Sequence, residues 1–162
     1  KVQYKKANKL LDDACEEVRK IANDINSGIL SKFGLIAALE DLKDKLNESQ
    51  QILVEFNAHG IDNRLESSIE IDIYRIIQEL INNILKHSKA AEVTIQLIES
   101  KDQLNIMVED DGIGFDYNRV IGKGMGLTNV ASRVEKLEGK FNIDSNKESG
   151  TTITIDIPLK EV

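Results

Sequence analysis

The sequence predicts an α+β fold: a two-layer α/β sandwich in which a mixed, mostly antiparallel sheet carries its helices on one face. Three observations predict it. Helical and strand-like periods follow one another as helix, strand, helix, strand, strand, helix, strand, strand. The runs at 93–100 and 103–110 alternate like a hairpin joined at Lys101-Asp102. A second strand pair, "KFNIDS" and "TTITIDIPL", is separated only by "NKESG".

The elements are justified in chain order. Residues 4–25 place Tyr4, Ala7, Leu11, Ala14, Val18, Ile21 and Ile25 at alternating steps of three and four. That is a heptad seam with charges elsewhere. A seam so narrow suits a helix partner in a hairpin or dimer, although packing on the chain's own domain would also produce it. Ser27 and Gly28 are expected to break this helix. Leu35, Leu39, Leu42 and Leu46 then mark a second helix ending near Asn47. "QILVEF" (51–56) reads as a strand and "NAHGIDN" (57–63) as a loop. Residues 70–89 present a broad apolar face of Ile73, Ile76, Ile77, Leu80, Ile81, Ile84 and Leu85. The hairpin follows, and then a loop over 111–124 that holds four of the ten glycines. "MGLTNVASRVEKLEG" (125–139) reads as a helix with Gly139 as its C-terminal stop. The expected division is 1–28 as one helix of a helical hairpin and 29–162 as the globular domain.

Composition excludes several functions. The 162 residues are 41% hydrophobic, enough for a sizeable core. The formal charge of −7 argues against a nucleic-acid footprint, which needs a basic stripe. The single cysteine, Cys15, rules out an internal disulfide and suits a reducing cytoplasmic setting. No apolar run approaches the roughly 18 residues of a transmembrane helix. The chain opens on Lys1 and is expected to be a piece of something longer, with an inner-membrane sensor as a candidate parent.

Three stretches carry candidate chemistry. On the helix at 70–89, Glu79 and Asn83 are four apart and share a face, with Lys86 and His87 one turn on. An asparagine carbonyl suits Mg²⁺, which takes few protein ligands and fills its shell with phosphates and waters. Glu79 can order or polarise such a water, and Lys86 can neutralise phosphate. The plainer reading is a wet helix face. The second stretch is "EDDGIGFD" (109–116), where Asp110 ends a strand ahead of Gly112 and Gly114. A fixed carboxylate accepts from an exocyclic amine such as that of adenine, and the glycines admit a flat ligand. A tight acidic turn is the alternative. An EF-hand loop is not, because Met107 and Val108 stand where its acids should begin. The third is "GKGMGLTNV", in which Gly122, Gly124 and Gly126 lead into a helix whose free N–H groups can cradle phosphate. It is no Walker A loop, since Tyr117 replaces its first glycine. Alone, this signal is weak.

Their order is more specific than any one of them. It resembles the Bergerat-type ATP-binding fold shared by histidine kinases, Hsp90-type chaperones, type II topoisomerases and mismatch-repair ATPases. Within that group, "IYRIIQELINNILKHSKAAEVTI" (73–95), "VEDDGIGFD" and "GKGMGLTNVASRVEKLEGKFNIDSNKESGTTITIDIPL" look most like the catalytic domain of sensor histidine kinases of the nitrate- and lipid-fluidity-sensor subfamily. The resemblance covers about residues 30–160.

The resemblance implies ATP and Mg²⁺ as ligands. Asn83 would ligate Mg²⁺, and Glu79 would be the acid that supports metal water or acts as base. Lys86 and His87 would lie near the phosphates. Asp110 would bind adenine, Gly112 and Gly114 would allow its close approach, and Thr151 would sit beside Asp110. Gly122, Gly124, Gly126 and Leu127 would shape the lid and phosphate cradle, with 115–124 as the lid and Arg119 and Lys123 its only cations. It implies transfer of the γ-phosphoryl to a histidine on a dimerisation helix, a homodimeric parent and a response regulator. Neither His59 nor His87 stands in an acceptor context, so this chain is expected to bind ATP without phosphorylating itself. The alternatives are an anti-sigma-type serine kinase of the same fold and a non-catalytic ATP-sensing module.

Overall fold

The computed structural model describes residues 28–115, 125–147 and 149–159, with the backbone alone at Met125. The heptad segment 4–25 lies outside the described residues. A helix occupies residues 28–48 (α1). The strand Leu53–His59 (β1) comes next, then the helix Ser67–His87 (α2) and the hairpin Glu92–Ser100 (β2) and Gln103–Asp110 (β3). The helix Met125–Lys136 (α3) precedes the strands Lys140–Ser145 (β4) and Thr151–Pro158 (β5). The five strands form one sheet in the order β1-β2-β3-β5-β4. Only β1 and β2 run parallel, joined through α2, and every other pair is antiparallel. The predicted mixed, mostly antiparallel architecture is the one observed.

Strict alternation explains why one face is covered. Val93, Ile95, Leu97, Leu104, Ile106, Val108, Ile153, Ile155 and Ile157 point to one side and are almost fully buried. Against them pack Ile73, Ile76, Ile77, Leu80, Ile81 and Ile84 of α2, Val130 and Val134 of α3, and Leu35 and Leu39 of α1. The opposite face presents Thr94, Gln96, Asn105, Thr152, Thr154 and Asp156, and Asn105 donates to Asp156 across two strands at 2.8 Å. A one-residue slip would invert both faces, so the pattern fixes the register.

Gly28 opens α1, and the helix that Ser27 and Gly28 were expected to break lies outside the described residues. Within α1, Gly34 takes a φ of +88°. Arg64 reaches over that point, donating to the carbonyls of Leu30 and Ser31 and pairing with the buried Glu70 at 2.6 Å. The first strand is Leu53–His59 and not 51–56, because Asn57, Ala58 and His59 continue the ladder opposite Gln96, Leu97 and Ile98. Pairing supplies what their weak strand propensity does not. The side-chain amide of Asn47 accepts from Val54 N–H at 2.7 Å and donates to Val54 carbonyl at 3.0 Å, holding the start of this edge strand. Helix α2 begins three residues early, at Ser67, and stops at His87. Finally, α3 ends at Lys136, and the left-handed residue beyond it is Glu138 at φ +56°, not Gly139. Gly139 N–H bonds the Val134 carbonyl and Glu138 N–H that of Glu135, which is a Schellman closure. Gly139 serves proximity instead: a Cβ there would stand 2.8 Å from the Asp156 carbonyl oxygen.

Candidate functional site

Glu79 and Asn83 lie one turn apart on α2, both half-buried. The first turn of α3 presses on them. A Cβ at Gly126 would stand 2.7 Å from Glu79 Oε1 and 2.8 Å from Asn83 Oδ1. Any side chain there would fill the space beside both groups, so this glycine answers to close approach. Asn83 Nδ2 is out of solvent and has no acceptor among the described residues. A buried amide donor without a partner costs about 1–3 kcal/mol, so the position invites an acceptor from outside the protein. The asparagine and carboxylate donor set fits Mg²⁺ only if phosphate and water complete its shell. Among the described residues no group of three or more His, Cys, Asp or Glu side chains forms a metal cage of its own.

At the C-terminal end of α2 the three acids of "EDDGIGFD" have separate tasks. Glu109 faces the polar side of the sheet and is exposed. Asp111 Oδ1 accepts from Ala91 N–H at 2.8 Å and Glu92 N–H at 2.9 Å, which anchors the start of β2. Asp110 is buried, at 5% exposure, opposite Val93 on one side and Thr151 on the other. Burial pushes its carboxyl above the ordinary carboxylate range. The Gly112 N–H at 2.9 Å and the Ser88 hydroxyl oppose that rise, while the charges of Asp111 and Glu109 add to it. A carboxylate buried with few donors retains lone pairs for a ligand amine.

The glycine loop is folded down by specific neighbours. Ile113 N–H donates to the Ser88 carbonyl at 2.8 Å, where α2 ends. A Cβ on Gly112 would strike Ser88 and Asp110. Gly114 adopts φ +58° against the Asn146 and Gly150 carbonyls, and Gly150 adopts φ +74° against the Asp110 backbone. Ser145 Oγ accepts from Phe115 N–H at 2.9 Å and bonds Thr151 Oγ1 at 2.9 Å. The β4–β5 connection therefore braces the loop and Thr151 together.

The structure thus gathers Glu79, Asn83 and Gly126 into one cluster and Asp110, Gly112, Gly114 and Thr151 into a second, with α2 running between them. Lys86 and His87 are exposed on its last turn. Leu127 is half-buried and packs on the core. Gly122 and Gly124, with nearly all of the expected lid, lie outside the described residues. Sequence reading missed Ser88, Asp111 and Ser145. The serine at the end of α2 directly after His87 is the signal that was available; Ser145 becomes visible only through the β4–β5 register.

Residues 68–161 match the family described as histidine kinase-, DNA gyrase B-, and HSP90-like ATPase. The chain is 32% identical over 151 residues to the signal transduction histidine-protein kinase/phosphatase DegS of Brevibacillus brevis, covering 93% of this chain and 39% of that protein. It is 30% identical over 154 residues to the sensor histidine kinase ComP of Bacillus subtilis (strain 168), covering 94% of this chain and 20% of the relative. Among solved structures, the histidine kinase domain of the Erythrobacter litoralis EL346 blue-light activated histidine kinase superposes with a TM-score of 0.62 at 26% identity, covering 77% of this chain and 61% of that one. The chain is therefore homologous to histidine kinase ATP-binding domains and spans well under half the length of these two curated relatives.

Proposed function

The chain belongs to the histidine kinase-, DNA gyrase B-, and HSP90-like ATPase family, and from that premise we propose that it is the catalytic ATP-binding domain of a cytoplasmic two-component sensor kinase. The observation that carries the reading is the Gly126 contact, which sets a helix N-terminal turn against Glu79 and an unpartnered Asn83 amide. Asp110 takes the adenine amine, with Thr151 beside it. Asn83 Oδ1 would hold Mg²⁺ and Glu79 would order a water beside it, while the buried Nδ2 would donate to a phosphate oxygen. When bound, Mg²⁺ neutralises phosphate charge. The acceptor is a histidine on a dimerisation helix of the parent protein, and a response regulator receives the phosphoryl group afterwards.

The protein's contribution to transfer is position and electrostatics. An unprotonated imidazole nitrogen forms the N–P bond as the bond from the γ-phosphorus to the β–γ bridging oxygen breaks. ADP leaves with that electron pair, and the proton on the other ring nitrogen passes to solvent. Calorimetry with a non-hydrolysable ATP analogue tests the assignment. Wild-type affinity should fall when EDTA is added, and in Asn83→Ala it should be low and indifferent to EDTA. An Asn83→Ala protein that keeps full, metal-dependent affinity would overturn the role.

A further inference from the structure

Asp72 is a buried carboxylate that the proposed transfer does not use. Its two oxygens are divided between two cations of α3. Arg133 Nη1 donates to Oδ1 at 3.0 Å and Lys136 Nζ to Oδ2 at 2.7 Å. Both cations reach it from solvent-facing positions. Asp72 precedes Asn83 by eleven residues on α2, about 16.5 Å along the axis at about 1.5 Å per residue, too far to touch a ligand held at Asn83. Its location links it to the site all the same. α2 and α3 run antiparallel, with Arg133 and Lys136 beside Asp72 at one end and Gly126 against Glu79 and Asn83 at the other. From 72 to 79 is seven residues, and from 126 to 133 is also seven. Both helices therefore advance about 10.5 Å between the two contacts. The ion pairs and the glycine contact belong to one register.

The apolar side of α3 does not select that register. Leu127, Val130, Val134 and Leu137 recur at steps of three and four, so a slide of one turn would still bury an apolar side. The slide would bring Val130 to the place of Gly126 and Leu137 to the place of Arg133. A valine there would fill the space beside Glu79 and Asn83, where even a Cβ on Gly126 would stand 2.7 Å and 2.8 Å away. Asp72 opposes the slide, because its carboxylate would be left buried without a cation, which is strongly disfavoured. Two cations three residues apart, one for each oxygen, define the axial position more narrowly than a single pair. We propose that Asp72 is a positioning residue for phosphate binding: through Arg133 and Lys136 it fixes α3 along α2, and so sets the first turn of α3 against Glu79 and Asn83. The proposal rests on the kinase reading above. The base end of the site is independent of it, because Asp110 is held by Gly112, Ser88 and the pairing of β3 with β5.

The test compares ligands with and without phosphate. Adenosine occupies the base end alone, and a non-hydrolysable ATP analogue with Mg²⁺ occupies both ends. Asp72→Asn keeps the shape and removes the charge. Its affinity for the Mg²⁺-loaded analogue should fall about ten- to hundred-fold, the usual loss when a group behind a ligand is removed. Adenosine, followed by amide chemical shifts, should bind as it does to wild type. In the ligand-free protein the shifts of Gly126 N–H and the Asn83 side-chain amide should move, and that of Gly112 should not. Asp72→Glu, which keeps the charge, should recover part of the lost affinity. Arg133→Gln, with Asp72 still held by Lys136, is the milder variant and should show the same split in smaller measure. Circular dichroism checks that each variant folds. Equal losses for the two ligands, or full affinity for the analogue in Asp72→Asn, would overturn the positioning role. Failure of the wild type to bind the analogue would sink the kinase reading, and this proposal with it, so the two failures are distinguishable.

Discussion

Asp110 is one member of a run of three acids, and its neighbours show how position divides identical chemistry. Asp111 spends its carboxylate on two backbone N–H groups of the β2 start. Asp110, one residue earlier, faces the covered side of the sheet and keeps acceptor capacity. Asp110→Asn should therefore weaken ADP binding ten- to hundred-fold, the counterpart of roughly 1.5–3 kcal/mol for a hydrogen bond to a charged group. Calorimetry with ADP measures it, and circular dichroism confirms the fold. The raised carboxyl also carries a pH signature. Between the ordinary carboxylate value and the raised one, the folded state binds a proton that the unfolded state has released. Ligand-free stability from this group is then greatest below that window and declines as pH rises through it. On the proposed adenine contact the ionised carboxylate is the acceptor, so ADP affinity should move the other way and fall on acidification through the same window. Titrations of both quantities in wild type and Asp110→Asn check the opposed slopes, and the mutant should lose its share of each.

At the scale of elements, α2 connects the two halves of the site. Its inner face is core, its C-terminal end supports the Asp110 loop through Ser88, and its outer face meets α3 through Gly126 and the Asp72–Arg133–Lys136 cluster. The end of α3 shows why a residue type does not by itself assign a role. Gly139 looked like a left-handed helix stop, and Glu138 holds that dihedral. The glycine is there because β5 passes close by. Gly139→Ala should accordingly destabilise the fold by about 1–3 kcal/mol, the usual cost of overpacking. Urea denaturation should show a lower midpoint with an unchanged slope.

Taken as a whole molecule, the chain belongs to an ATPase family, and on the proposed reading neither of its two histidines is the phosphoryl acceptor. His59 is exposed at the far end of β1, the edge strand of the sheet. His87 rides on the last turn of the helix that carries Asn83, and on the proposed reading it would flank the phosphates without lying in line. Incubation with γ-labelled ATP should give bound nucleotide and no stoichiometric, acid-labile label on this chain. Such a label mapped to either histidine would reverse that conclusion. Among the described residues no helix is long and apolar enough to cross a membrane.

Periodicity determined the element order and most of the core, because strands of period two and a helix of period 3.6 can bury only one face each. The hairpin of β2 and β3 and the apolar face of α2 were legible for this reason. Motif order alone makes Glu79, Asn83, Asp110 and the glycines candidates. Only the tertiary structure showed that Gly126 packs on Glu79 and Asn83, that Ser88 and Ser145 hold the loop, and that Asn57–His59 are strand. Those facts depend on contacts between residues 25 to 47 positions apart, or on a partner strand's register, and local pattern carries no information about either. The same limit explains Gly34 and Gly139. A glycine is written identically whether it supplies a left-handed dihedral or leaves room for a neighbour, and what surrounds it in space decides between them.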